Sequence, residues 1–389
     1  MNQVMITKLC NIEIGKTPSR SDSTYWGTGV NWVSIRDMKE KYIFETNEEI
    51  TTKAISNTGI KIVPKNTVIM SFKLSVGKVA ITGKDLYTNE AIAAFHILDD
   101  SKLFFKYLYY ALQTIRLSES TDRAVMGLTL NKQKLKQLSI PLPPIEIQKK
   151  IVEVLDRAQA LIDTRKEQIR LMDEMIQSVF YKMFGDPVTN PKGWKVKNLE
   201  DISLVRSSKR VFVDEFVDYG IPFYRGTEVG ILSTGENISS KYFISEDHYS
   251  QLKDSTGVPL KGDLLLPSIC NDGRIWRVNT EEPFYFKDGR VLWIQLIDSN
   301  FDSIYLQYML REKFINDYHN IASGTTFAEL KIFALKSLEI FAAPCEIQEE
   351  FSQIVVRSEI EIKKMKESLL EIENTYKSLM FKAFSGELF

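Results

Sequence analysis

The chain has 389 residues, more than one ordinary core uses, and its 44% hydrophobic and 26% charged side chains suit two to three globular domains. A net charge of −1 excludes a simple DNA-coating protein, and three dispersed cysteines exclude a disulfide frame or a CxxC-type zinc site. No stretch approaches the ~18 apolar residues of a membrane span, and Met1–Cys10 has no basic region followed by an apolar core, so the expected location is the cytoplasm.

The first expected domain is 1–143. Short β-rich runs broken by glycine, such as Thr67–Phe72 before Gly77, accompany one apolar helical stretch at Leu103–Ile115. Residues 1–144 hold 19 Lys/Arg against 13 Asp/Glu, a local net of +6. A long helix is expected over 144–185, opened by Pro141, Pro143 and Pro144 and closed by Gly185 and Pro187. Turn-rich Asp186–Trp194 begins a second domain, 186–343, with Asp263–Leu266 before Gly273 as a strand and Ile304–Phe314 as its helix. Residues 187–343 hold 18 Lys/Arg against 21 Asp/Glu, a net of −3. A second long helix is expected over 344–389, closed by Gly386.

The strongest signal is an internal repeat at an offset of 200. Pro144, Glu146, Ile147, Gln148, Arg157, Ile162, Lys166, Glu167, Ser178, Lys182 and Phe184 all meet identical residues in 344–384. An apolar lattice stepping by three and four repeats with them, through Ile151, Ile162, Ile169 and Ile176 and through Phe351, Ile362, Leu369 and Tyr376. These eight are the expected coiled-coil or partner-facing seam. Each helix would be roughly 58 Å long at 1.5 Å per residue. The fold class is therefore α+β, with two globular domains separated by two long helices that pair as an antiparallel coiled coil with pseudo-two-fold symmetry. Such a rod is a ruler.

Pro-Leu-Pro-Pro-Ile-Glu-Ile-Gln at 141–148, Ala-Pro-Cys-Glu-Ile-Gln at 343–348, Phe184–Pro187 and the terminal Phe384–Leu388 resemble the specificity subunit of type I restriction–modification systems. So do Gly15–Pro18, Tyr25–Gly27 and Trp32–Ser34, and Gly324-Thr325-Thr326 resembles that family's small-hydroxyl loop. Gly127-Leu128-Thr129 in the first half departs from that loop in part. The resemblance implies two target-recognition domains, each reading half of a bipartite site in double-stranded DNA. It implies helices that separate the domains and bind two modification subunits, with restriction subunits in the full complex. S-adenosylmethionine and adenine methylation would belong to the modification subunits, and no cofactor to this chain. Half-sites about one turn apart, roughly 34–36 Å, would suit domains held by a rod.

No catalytic apparatus is legible. There is no Asn/Asp-Pro-Pro-aromatic loop and no GxGxxG, and Gly15-Lys16-Thr17 is only the tail of a P-loop. His96, His248 and His319 are scattered, so neither a metal triad nor a Ser-His-Asp arrangement can be read. Glu361-Ile362-Lys363 mimics a nuclease pair but lies on the helical lattice. The alternative function is a stand-alone sequence-specific DNA-binding regulator, though no helix-turn-helix signal is present.

Base and phosphate contacts favour Arg, Lys, Asn, Gln and Ser/Thr on loops or strand ends. In the first domain these are Lys16, Thr17, Ser19 and Arg20 in one basic, hydroxyl-rich loop, with Arg36, Lys73 and Lys78. In the second they are Arg206, Ser207, Ser208, Lys209 and Arg210, then Arg225, Arg274, Asn271 and Arg277, with Thr325 and Thr326 from the resemblance. Trp32 and Trp276 are read as core aromatics.

Overall fold

A computed structural model gives the structure, which describes residues 2–115, 122–124, 127–129, 132–324 and 328–389. The chain divides into two compact units. Unit 1 combines Met1–Arg165 with Leu369–Phe389, and unit 2 is Lys166–Ser368.

In unit 1, alternating apolar runs build a five-stranded sheet in the order Cys10–Ile14, Ile92–Ile97, Val68–Ser71, Val79–Thr82, Tyr42–Ile43. Only the last pair is parallel. A second sheet places Trp26–Val33 between Glu48–Ile50 and Tyr87–Thr88. The helix Phe105–Thr114 packs Tyr107, Leu108, Ala111 and Leu112 against the larger sheet.

Unit 2 repeats this plan. Ser203–Arg206, Val291–Leu296, Leu264–Pro267 and Trp276–Arg277 form one sheet, and Ile221–Tyr224 lies between Phe243–Ile244 and Tyr285–Phe286 in another. The helix Ser303–Ile321, longer than its counterpart, buries Tyr305, Leu306, Met309 and Leu310. Each unit also pairs an early strand with the strand that leads into a long helix: Gln3–Met5 with Ser139–Pro141, and Lys195–Asn198 with Glu339–Ala342. The faint repeat of the globular halves is thus a repeat of topology, save that the parallel edge strand Tyr42–Ile43 of unit 1 has no counterpart, among the described residues, in the four-stranded sheet of unit 2.

The long helices run Ile145–Phe184 and Cys345–Ser385. Each starts on a proline whose carbonyl takes the first helical N–H, Ile147 to Pro144 at 2.9 Å and Ile347 to Pro344 at 3.1 Å. Gly185 and Gly386, both in the left-handed region, stop them, at φ +85° and +91°. In unit 1 the start of the first helix packs Ile151, Val152 and Leu155 against Tyr376, Leu379, Met380 and Ala383 of the second. In unit 2 the end of the first packs Ile176, Phe180 and Phe184 against Phe351, Val355 and Ile362. The antiparallel seam is therefore present within each unit. It is wider at the helix ends than a strict three-four lattice, taking in Val152, Leu155 and Phe180, because there each helix covers a globular core as well as its partner helix. Trp32 and Trp276 are buried, as expected. Among the described residues, no helix is long and apolar enough to cross a membrane.

Candidate nucleic-acid interface

Strand register decides which loops meet. In unit 1, Ile14 faces Ala93, Ser71 faces Ile92 and Val33 faces Thr88. The segments leaving these strands therefore emerge together, and backbone hydrogen bonds tie them: Lys16 N–H to Thr88 O at 2.8 Å, Asn89 N–H to Val33 O at 3.0 Å, and Phe72 N–H to Ala91 O at 2.9 Å. Lys16, Thr17, Ser19, Arg20, Arg36, Lys73 and Lys78 thus lie along one edge. Gly15 is required by packing and not by phosphate. A β-carbon there would sit 2.2 Å from Thr88 O.

The loop after Gly15 is held from beneath by two indoles, Trp32 donating to Lys16 O at 3.0 Å and Trp26 to Ser19 O at 3.1 Å. Arg20 stacks 3.7 Å over Trp26 and makes a two-pronged ion pair with Glu48. Those hydrogen bonds hold the Glu48 carboxyl below its ordinary range. Arg20 therefore shapes the loop, and Thr17 likewise donates to Glu90. Lys16 bonds Thr58 O, while Arg36 and Lys73 keep exposed side chains, and Lys78 reaches Ile35 O at 3.4 Å beside Arg36.

Unit 2 assembles the matching edge. Arg206 faces Trp293, Pro267 faces Val291 and Tyr224 faces Phe286. This gathers Ser207–Arg210, Ser268–Arg274, Arg225 and the turn Lys287–Arg290. Arg206 lies 3.7 Å over Trp293 and donates to Gln295 Oε1 at 2.8 Å and Thr256 O at 3.3 Å. Ser207 and Ser208 donate to Val291 O and Phe286 O, both at 2.7 Å. These three are committed inside the fold, so Lys209 and Arg210 carry the exposed charge of the segment. Arg210 pairs with Asp288 at 2.9 Å, Arg225 with Glu228 at 2.7 Å, and Arg274 with Asp272 at 2.6 Å. Asn271 is exposed. Arg277 points to the second long helix and bonds Glu359 at 2.9 Å, away from this group.

Sequence reading passed over three cations here. Lys287 and Arg290 flank the turn Lys287-Asp288-Gly289-Arg290, whose Asp-Gly between apolar runs was a usable signal. Arg290 and Lys331 both pair with Glu329, Lys331 at 2.9 Å. Glu329 and Ser323 bond each other's backbone at 2.9 Å. Thr325 and Thr326 lie outside the described residues, as do the side chains of Gly127–Thr129.

The eight seam residues are spent within the chain: Ile151, Ile162, Ile176, Phe351 and Ile362 are buried, and Ile169, Leu369 and Tyr376 half-buried. In unit 2 the helices instead expose Leu171 and Met175, and Val356 and Ile360, each pair one turn apart. Burial pushes the Cys10 and Cys270 thiols up to about 12, far from a reactive range. Among the described residues no group of three His, Cys, Asp or Glu could hold a metal ion. The arrangement presents hydrogen-bond donors and cations along one edge of each unit.

The type I restriction modification DNA specificity domain matches residues 1–171 and again 191–374. The type I restriction enzyme MjaIX specificity subunit of Methanocaldococcus jannaschii is 29% identical over 96% of this chain and 90% of its own length. The EcoR124I/EcoR124II specificity subunit of Escherichia coli is 26% identical over 48% of this chain and 49% of its own. In three dimensions, the S subunit of a type I system from M. genitalium superposes with a TM-score of 0.57 at 16% identity, covering 98% of this chain and 96% of that one. A chain from a structure of a type I system solved to explain complex assembly and conformational transition gives 0.60 at 17% identity, covering 100% and 98%.

Proposed function

This chain belongs to the family of type I restriction–modification DNA specificity subunits, and from that premise we propose that each of its two units reads one half of a bipartite site in double-stranded DNA. The observation that carries the reading is the duplicated edge. The same strand ends, in the same register, gather Lys16, Arg36 and Lys73 in one unit and Lys209, Arg210, Arg225, Lys287 and Arg290 in the other. Exposed cations such as Arg36, Lys73 and Lys209 supply phosphate affinity, the half-buried Arg225 and Lys287 being paired with Glu228 and Asp288, and neighbouring hydroxyls and amides supply base discrimination.

The long helices set the spacer between half-sites and dock two modification subunits. Leu171, Met175, Val356 and Ile360 are apolar side chains left in solvent on those helices, as a partner-binding surface requires. In this reading the chain is a non-catalytic subunit working in the cytoplasm. The modification subunits hold S-adenosylmethionine and methylate adenine at N6, and restriction subunits complete the nuclease. No observation favours the stand-alone regulator.

Co-expression with the modification subunit, followed by methylation-aware sequencing of the host genome, tests the reading. The expected result is methylated adenine in one motif of two short half-sites around a fixed gap. A stable complex that methylates a single undivided motif would overturn the division of labour between the units.

A further inference from the structure

Gln148 and Gln348 stand at the same place in the repeat, in the first turn of each long helix, and both are buried, at 0% and 1% exposure. A buried carboxamide needs partners for two N–H donors and an acceptor. Gln148 accepts from Phe104 N–H at 2.9 Å and donates to Lys102 O at 2.8 Å and Pro143 O at 2.9 Å. Gln348 accepts from Asp302 N–H at 2.9 Å and donates to Ala343 O at 2.7 Å and Asn300 O at 3.1 Å. Each amide thus ties three things together: the segment entering the domain's own helix, the strand end before the long helix, and the long helix itself.

A tyrosine stands beside each glutamine. Tyr107 donates to Pro141 O and Tyr305 to Phe341 O, both at 2.7 Å. Their rings receive the phenylalanine that ends the other long helix, Phe384 at 5.3 Å and Phe184 at 4.6 Å between centroids. Two units with different surface residues share this joint group for group.

We propose that Gln148 and Gln348 are positioning residues for spacing selectivity, each fixing the angle at which its domain meets its long helix. The inference rests on the reading that the helices set the spacer. A helix of 40 residues is roughly 60 Å long at 1.5 Å per residue. Five degrees of play at its base moves the far end by about 5 Å, more than the ~3.4 Å rise of one base pair. No leucine or glutamate supplies the two donors, so either substitution leaves buried carbonyls unpaired and loosens the joint.

The test uses the full chain with its modification subunits and duplexes carrying the native half-sites at the native spacing and at one base pair more or less. Q148L, Q348L and the gentler Y107F and Y305F are compared with wild type for methylation rate on each duplex, alongside thermal melting. The expected result is that preference for the native spacing falls about tenfold in the glutamine variants, equivalent to ~1.4 kcal/mol, and less in the tyrosine variants, with half-site base preference unchanged. Unaltered spacing preference with lowered melting would overturn the proposal, leaving a purely structural role. Should the leucine variants fail to fold, unaltered spacing preference in Y107F and Y305F overturns it equally. A wild type indifferent to spacing would instead overturn the reading beneath it.

Discussion

Units 1 and 2 dock the long helices through the same joint but fill the space beside it with different chemistry. Unit 2 uses rings around one buried carboxylate: Phe180 lies 5.2 Å from Phe184, 5.6 Å from Phe351 and 6.3 Å from Tyr305, and Glu312 accepts from Gln177 at 2.9 Å and Tyr181 at 3.1 Å. In unit 1 the repeat puts Met380 where Phe180 stands and Ile151 where Phe351 stands. A polar cluster joins helix to domain there. Asp156 receives Lys41 and Tyr110, Lys41 also lies 3.1 Å from the Tyr110 hydroxyl, and Lys106 approaches to 3.7 Å. Ring packing carries no charge to titrate, whereas the ion pairs of Asp156 with Lys41 and Lys106 hold only while Asp156 is ionised. Topology survives the exchange because the shared joint, and not the filler, sets the geometry.

The sharpest way to break this comparison is to remove a ring. Phe180→Ala should cost about 3–5 kcal/mol and raise hydrogen exchange across residues 166–368, while Met380→Ala, only half-buried, should cost about 1–2 kcal/mol and act on unit 1. Equal losses would show that the two docks are energetically alike.

Acid should separate the units next. Burial works against the Asp156 charge, yet hydrogen bonds from Lys41 and Tyr110 and the nearby Lys106 outweigh it and hold its carboxyl below the ordinary value. A carboxyl lowered in the folded state contributes stability above the unfolded value of about 3.9 and loses it as pH falls through the folded one. Asp156→Asn should therefore cost about 1–2 kcal/mol near neutrality, discounted because 32% of that side chain is exposed, and should match wild type at acid pH. Denaturant titrations at neutral pH and at a pH low enough to protonate the folded carboxyl check both arms; a deficit constant with pH would remove ionisation from the explanation.

The smallest effect sharpens the contrast of surfaces. Losing one phosphate contact lowers the slope of log affinity against log salt by about 0.9. Lys73→Ala and Lys209→Ala should each do so by filter binding without changing the preferred motif. No change in slope for either would take that lysine off the DNA.

Much of this architecture was legible because it is local or repeated. The helices follow from proline starts, glycine stops and a three-four lattice, and the offset of 200 disclosed the duplication. Pro-x-Glu-Ile-Gln stands out in the sequence as a motif, but the work of its glutamine does not, since its partners Lys102 and Phe104 are placed by the fold. The edge was harder for the same reason. Arg206 reads as a free cation until Trp293 arrives beneath it, and Arg20 until Glu48 does. Arg290 joins the edge only because Pro267 pairs with Val291. Lys41 and Asp156 are 115 residues apart, and no local pattern announces such a pair.

Unit 1 is closed by residues 369–389, far from the rest of it in the sequence. During synthesis its sheet and first helix emerge early, but Tyr107 must wait for Phe384. At ~5–20 residues per second, the intervening 166–368 occupy the ribosome for roughly 10–40 s. Throughout that interval the N-terminal half lacks Tyr376, Leu379, Met380 and Ala383, which complete its core beside Ile151 and Leu155. A stop codon after Ser368 would leave unit 2 whole and strike the unit made before it.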